Sequence, residues 1–247
     1  MPITIIVPCY NEAARFSIST FSPLLRNPDV FLLFVNDGSR DKTLSLLDEA
    51  AQSLGVRARV LSLRKNCGKA EAVRAGLLSA IASGAETVGF LDADGATPAT
   101  EMLRLVEFLA VRNLDVALAT RIGLLGTQIE RSPMRHYIGR VFSSIAAPLL
   151  AVRIYDTQCG AKLFRATPLL EDVLTRPFVS RWLFDIELLG RLLRGARSHP
   201  PLDHARIAEM PLQQWRDVEG SKLTLWDGPL ILLDLMKVKR SLDEFVS

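Results

Sequence analysis

Three cysteines, Cys9, Cys67 and Cys159, are all that the chain carries. So odd and scattered a set excludes a disulfide framework and predicts reduced thiols in a cytosolic compartment. Histidine is equally scarce: His136, His199 and His204 show no zinc spacing. Neither sign of charge dominates. The 30 Lys and Arg residues against 27 Asp and Glu leave a net charge of +3, which offers no general case for nucleic acid as a partner. No apolar run approaches the roughly 20 residues of a membrane span. The most apolar late stretch, residues 223–238, is interrupted by Asp227, Gly228, Pro229 and Asp234. Residues 3–7 are too short and lack the basic leader of a signal peptide. No G-x-G-x-x-G follows the first apolar segment, which excludes simple NAD binding. Internal repeats and low-complexity linkers are missing too. The expectation is a cytoplasmic protein, at most peripheral to a membrane. Residues 1–222 would form one catalytic domain, with residues 223–247 as a C-terminal helical segment.

What is present is an alternation. Residues 3–9 form a continuous, β-branched apolar run, as a strand buried on both faces requires. Residues 31–35, 56–63, 87–91 and 116–119 read as further strands. Between them Leu44, Leu47, Ala51 and Leu54 share one helix face, and Val73, Leu77 and Ile81 share another on a helix beginning near Gly68. Met102, Leu105, Val106 and Leu109 mark a third, with Thr97 as its cap and Pro98 at its first position. Strand–helix alternation with short links predicts an α/β fold, a mostly parallel, doubly wound sheet flanked by helices. Past residue 122 the rhythm changes. A polar loop runs to about residue 132, a long apolar helix is expected over 135–152, and a mixed segment covers 155–165. A helix near 182–193, a late strand within 205–215 and an amphipathic C-terminal helix from Pro229 follow.

The polar motifs fall where strands end, the edge at which such sheets bind ligands. Pro8-Cys9-Tyr10-Asn11-Glu12 follows the first strand, Asn36-Asp37-Gly38-Ser39 the second, Asn66-Cys67-Gly68-Lys69 the third and Asp92-Ala93-Asp94 the fourth. Each alone is ordinary turn and cap chemistry; together they predict one converging site. Asp92 and Asp94, two apart at a strand end, point the same way and repel unless a cation lies between them. Hard oxygen donors suit Mg²⁺ or Mn²⁺, which also takes the oxygens of a diphosphate. Asp37 has two readings, a hydrogen-bond acceptor for a base or ribose and a helix cap, a task open also to Ser39 and Asp41. Lys69, at a helix start, is placed to meet a phosphate.

The order P-C-Y-N-E, V-N-D-G-S, N-C-G-K and L-D-A-D-G resembles the family 2 inverting glycosyltransferases with the GT-A fold. The likeness continues through Asp156-Thr157-Gln158-Cys159-Gly160-Ala161-Lys162, Arg181-Trp182-Leu183-Phe184-Asp185-Ile186-Glu187, and Trp215 with Glu219-Gly220-Ser221-Lys222-Leu223. These segments resemble the polyprenyl-phosphate sugar synthases, the dolichyl-phosphate β-glucosyltransferases above all and the dolichyl-phosphate mannose synthases next. The chain departs from many such proteins in carrying Asn36 where they have a second aspartate, and in showing no membrane span.

The resemblance implies a nucleotide-sugar donor held by Pro8, Tyr10, Glu12 and Asp37, with Lys69 near base or phosphates. It implies Asp92 and Asp94 on the metal and on ribose or phosphate, and Gln158 beside sugar or acceptor. Arg131, Arg135 and Lys222 are cationic groups for lipid phosphate or diphosphate. The reaction would be an in-line, inverting hexose transfer, from a donor of UDP-glucose or GDP-mannose type to a polyprenyl or dolichyl phosphate. A phosphate acceptor is already anionic, whereas a sugar hydroxyl needs a general base, for which Asp185 and Glu187 are the candidates. Two other readings remain: transfer to a soluble saccharide or protein, and a nucleotidyltransferase. The second would place a Gly-rich, Arg-containing loop after the first strand, where Pro8 to Glu12 stands. For the C-terminal helix, an apolar side of Trp226, Leu230, Leu233 and Met236, followed by Lys237, Lys239 and Arg240, is expected either to touch a membrane or to pack on the catalytic domain.

Overall fold

The structure, a computed structural model, describes residues 1–130, 149, 150, 152–218 and 228–246. In chain order its strands are β1 (Ile3–Cys9), β2 (Val30–Asn36), β3 (Ala58–Ser62), β4 (Thr87–Leu91), β5 (Val116–Thr120), β6 (Gln128–Glu130), β7 (Ala161–Arg165), β8 (Ile207–Pro211) and β9 (Gln214–Arg216). The helices are α1 (Thr43–Leu54), α2 (Lys69–Ala82), α3 (Ala99–Val111), α4 (Pro168–Thr175), α5 (Phe184–Arg194) and α6 (Gly228–Val246). Seven strands form one sheet in the order β3-β2-β1-β4-β7-β5-β8, and β6 pairs with β9 in a small separate ribbon. All neighbours in the large sheet are parallel except β7, which runs antiparallel to both β4 and β5.

The side-chain period of two divides each apolar strand between two layers. Ile5, Val7, Leu32 and Phe34 face one side, with Leu47 of α1 and Met102 and Leu105 of α3. Ile6, Leu33, Val35 and Phe90 face the other, with α2, α4, α5 and α6. The parallel register pairs Cys9 with Asn36 at the ends of β1 and β2, and Asn36 with Ser62 at the ends of β2 and β3. The loops that follow these strands therefore leave the sheet side by side, the arrangement expected from the sequence.

Several local expectations shift. On α1 the buried apolar residues are Leu47 and Ala50, and Leu44 is exposed. Helix α3 begins one residue later than expected: Pro98 keeps an extended ψ of 147°, and no side chain caps the helix start. The expected strand within 205–215 is broken into β8 and β9, because the amides of Gln213 and Gln214 turn to the buried carboxylate of Glu101 at 3.2 Å each. The mixed segment 155–165 contains β7, and α4 follows it. A short strand, β6, lies in the stretch expected as loop. The expected 135–152 helix falls outside the described residues apart from 149, 150 and 152, of which 149 and 150 are helical. So does the boundary at residue 222.

Helix α6 packs on the catalytic body. Val238 and Leu242 are fully buried, Leu235 and Phe245 nearly so, in the core that α5 shares. A methyl group at Gly190 of α5 would lie 2.7 Å from Leu242, so the glycine is what lets the two helices approach so closely. Ser241 donates to Glu187 at 2.8 Å and Ser180 to Asp234 at 2.8 Å. The opposite face, with Leu233, Met236, Lys237, Lys239 and Arg240, is exposed.

Candidate active site

All four strand-end clusters meet. The amide of Asp37 donates to the Cys9 carbonyl at 2.9 Å, and Asn11 exchanges hydrogen bonds with the segment after β2, donating to Ser39 and accepting from Arg40. Gly38, at φ +61°, is forced by the turn; a side chain there would come within 2.4 Å of the Lys65 backbone. Asp41, not Asp37, caps the start of α1, accepting from the Thr43 amide and hydroxyl.

Asp37 is buried and its carboxylate is occupied. It accepts from the Cys67 amide at 2.7 Å, the Gly68 amide at 2.8 Å and the Asn66 side chain at 3.0 Å. The carboxylate thus serves as the anion at the N-terminal approach to α2. Burial pushes its pKa up against these bonds and against the nearby positive charge of Arg181. The Arg181 side chain lies across Gly68, within 3.1 Å of where a Cβ would be.

The end of β4 carries the densest charge. Asp92 pairs with Lys69 at 2.5 Å. Its backbone is fixed by a 2.9 Å bond from its amide to the Gly160 carbonyl, and a Cβ on Gly160 would lie 2.1 Å from an Asp92 carboxylate oxygen. Only glycine tolerates that approach. Asp94 accepts from the Ala96 amide at 3.0 Å, and burial together with the charge of Asp92 raises its pKa. Behind Lys69 the charges continue to alternate. Asp185, at the start of α5, pairs with Lys162 of β7 at 2.6 Å, and Lys162 also donates to the Cys159 carbonyl at 2.6 Å. Lys162 is 0% and Asp185 4% exposed. Burial pushes the Asp185 pKa up, while Lys162 and Lys69 pull it down. Burial likewise pushes the Cys159 thiol up to about 11, so it stays a neutral core residue.

The other expected residues divide. Pro8 and Tyr10 are half-buried at the end of β1. Glu12 is buried, and its carboxylate is taken by Arg15, whose charge also reaches Asp94. Gln158 stands two residues before Gly160, and its side-chain amide nitrogen is enclosed without a hydrogen-bond partner. Glu187 is fully buried away from this cluster. It accepts from Arg191, Val179 and Ser241 and so joins α5 to α6 and to the loop before α5. Arg131, Arg135 and Lys222 lie outside the described residues. Sequence reasoning did not single out Arg15, Lys162, Arg181 or the buried two-point pair of Arg121 with Asp156, at 2.6 and 2.8 Å. Lys162, Asp156 and Arg181 stand within the quoted motifs. Arg15 and Arg121 carry no such signal.

This geometry joins a sheet edge to paired carboxylates, and the family pattern described as Glycosyl transferase family 2 matches residues 4–171. The chain belongs to that family. A dolichyl-phosphate beta-glucosyltransferase of Drosophila melanogaster is 33% identical over 91% of this chain and 70% of its own length. One of Trichomonas vaginalis is 31% identical over 95% and 70%, and the human enzyme 29% over 96% and 74%. Among solved structures, glucosyl-3-phosphoglycerate synthase of Mycobacterium tuberculosis superposes with a TM-score of 0.64 at 20% identity, over 96% of this chain and 80% of that one. The same enzyme in complex with Mn²⁺, UDP and its product gives 0.60. These likenesses show the GT-A fold. The chain is a glycosyltransferase.

The donor set at the β4 end fits a hard divalent cation. It consists of Asp94, whose pKa burial and then the charge of Asp92 raise and whose carboxylate accepts from the Ala96 amide, and Asp92, whose own amide is bonded to the Gly160 carbonyl. Among the described residues no group of three or more His, Cys, Asp or Glu side chains gathers to hold a metal, so further ligands would be substrate or water oxygens.

Replacing Asp37 by Ala removes the acceptor for three donors of residues 66–68 and is expected to cost about 1–3 kcal/mol. Urea unfolding measures it. Unchanged stability would show that the carboxylate does not hold this loop and is free for a nucleoside.

Proposed function

We propose that this chain transfers glucose, with inversion, from a nucleotide sugar to dolichyl phosphate or another polyprenyl phosphate. The observation that carries this reading is the Lys69–Asp92–Asp94 cluster at the end of β4, in a family member whose β-glucosyltransferase relatives align over nearly all of this chain. An acceptor phosphate oxygen attacks the anomeric carbon of the sugar as the bond to the diphosphate breaks on the opposite face. The electron pair leaves with the nucleoside diphosphate. The acceptor needs no strong base because it is anionic from the start. This assigns Asp185, tied to the buried Lys162, to electrostatic support rather than proton removal. Glu187, whose oxygens are already engaged, takes a structural place. Pro8, Tyr10 and the loop held by Asp37 line the nucleoside side. Gln158, with its unpartnered amide, faces the sugar or the acceptor. Asp92 and Asp94 are the residues to hold Mg²⁺ or Mn²⁺, which when bound neutralises charge on the leaving diphosphate. Arg131, Arg135 and Lys222 remain the cations proposed for lipid phosphate and diphosphate.

The acceptor requires a membrane. Among the described residues no helix is long and apolar enough to cross one. We propose peripheral docking at the cytoplasmic face through the outer side of α6, where Leu233 and Met236 are exposed beside Lys237, Lys239 and Arg240. Of the apolar side expected there, Trp226 and the side chain of Leu230 lie outside the described residues. The helix's other side is committed to the core, so packing and docking use different faces. Each basic residue near an anionic surface contributes roughly 1 kcal/mol, enough for reversible attachment.

In a transfer assay with UDP-glucose and dolichyl phosphate, chelation of divalent cations should abolish product and added Mn²⁺ restore it. Asp94→Asn should lower kcat on the order of a hundredfold or more. Wild-type turnover by that variant would remove the metal assignment. Co-sedimentation with anionic liposomes should be lost when Lys237, Lys239 and Arg240 are changed to Glu. Binding indifferent to those changes would eliminate docking through α6.

A further inference from the structure

Lys69 is the first residue of α2, directly after Gly68. A helix N-terminus is an unfavourable place for a cation, since the helix dipole and the free amides there are themselves positive. A lysine at this position needs an anion, and the anion it has is Asp92, 2.5 Å away. Asp92 cannot follow Lys69 elsewhere, because its amide is bonded to Gly160 and that glycine presses against its carboxylate. The carboxylate is a fixed point, and the cation is the part able to move.

Two lysines surround Asp185, and they differ in freedom. Lys162 is enclosed, pairs with Asp185 and donates to the Cys159 carbonyl. The Lys69 side chain is 38% exposed on a flexible four-carbon stem. Its ammonium stands 5.8 Å from the centre of the Phe90 ring and 5.9 Å from that of Phe184. It also feels the charges of Asp92, Asp185 and Asp94, which outweigh burial and raise its pKa. The aromatic faces and Asp185 hold the ammonium near the site whether or not Asp92 retains it.

On the reading that Asp92 and Asp94 receive a divalent cation, the arrangement implies competition. We propose that Lys69 is a built-in counter-cation, which neutralises Asp92 in the nucleotide-free enzyme, yields it to the divalent cation and then turns its ammonium to the donor diphosphate. Without the metal, the two carboxylates and Lys69 carry one net negative charge, which keeps the site from collapsing under repulsion. With the divalent cation bound, the same three side chains and the metal carry one net positive charge. A diphosphate is then attracted, and the freed ammonium is beside it. Lys69 would therefore weaken metal binding to the empty enzyme while strengthening nucleotide binding to the loaded one, an order in which metal and donor favour arriving together. Lys162 and Asp185 act as positioning residues, since they anchor the neighbourhood in which Lys69 moves.

The test is Mn²⁺ binding, followed by the electron paramagnetic resonance of free Mn²⁺, in wild type and in Lys69→Met and Lys69→Gln, first without nucleotide and then with UDP. Removal of one adjacent positive charge should tighten Mn²⁺ alone by roughly tenfold, and should weaken UDP at saturating Mn²⁺ by a similar factor. Two substitutions of different polarity separate loss of charge from a local packing effect, since both must shift in the same direction. Mn²⁺ affinity that is unchanged or weaker in both variants overturns the proposal and leaves the glycosyltransferase reading standing if wild type still transfers glucose. Absence of Mn²⁺ binding in all three proteins, with and without UDP, removes the metal assignment and the proposal with it.

Discussion

The ion pair of Lys69 with Asp92 joins the N-terminus of α2 to the end of β4, and the site is arranged around the need to neutralise what stands there. Asp92 and Asp94 repel, Asp185 lies behind them, and each carboxylate in a partly dry setting demands a cation. Burying an isolated charge costs far more than a folded domain can spare. The structure answers with alternation: Asp92, Lys69, Asp185, Lys162 and the Cys159 carbonyl form a continuous series from the sheet edge into the core. Removing Lys162 or Asp185 would leave its partner buried and uncompensated, which is more damaging than the loss of the pair itself.

That series exists because β7 runs antiparallel between β4 and β5. Its register sets Ala161 against Leu91 and Lys162 against Phe90. The turn before it delivers Gly160 to Asp92, and the strand delivers Lys162 to Asp185. Gly89 is shaped by the same insertion, for a methyl group there would lie 2.3 Å from the Lys162 carbonyl. Two glycines, Gly89 within β4 and Gly160 in the turn before β7, thus permit the close approach of the two strands that places Lys162 near Lys69.

Much of this was legible in the residues. The strand-end clusters could be placed on one edge because continuous β-branched runs such as residues 3–9 leave little doubt about buried parallel strands. The Asp92–Asp94 spacing after such a run marked the centre of charge. The antiparallel β7 was not legible. Its sequence, Ala-Lys-Leu-Phe-Arg, carries a lysine at a wholly buried position, and apolar periodicity counts such a residue as surface. Its partner Asp185 stands 23 positions further along the chain, beyond the reach of any local pattern; the pairing arises from tertiary packing. The role of Asp37 was equally hidden, because its partners are backbone amides of another loop, and amides leave no mark in a sequence. The break between β8 and β9 depends on Glu101, a residue more than a hundred positions away.

The most direct test of the account is the stereochemistry of the product. Wild-type enzyme is supplied with UDP-glucose, whose anomeric bond is α, together with Mn²⁺ and dolichyl phosphate, and the lipid-linked product is examined by the ¹H NMR coupling of its anomeric proton. Inverting transfer yields a β-linked glucosyl phosphate formed in step with release of UDP. An α-linked product, release of UMP with glucose phosphate, or glucose found on a soluble saccharide with none on the lipid would contradict it.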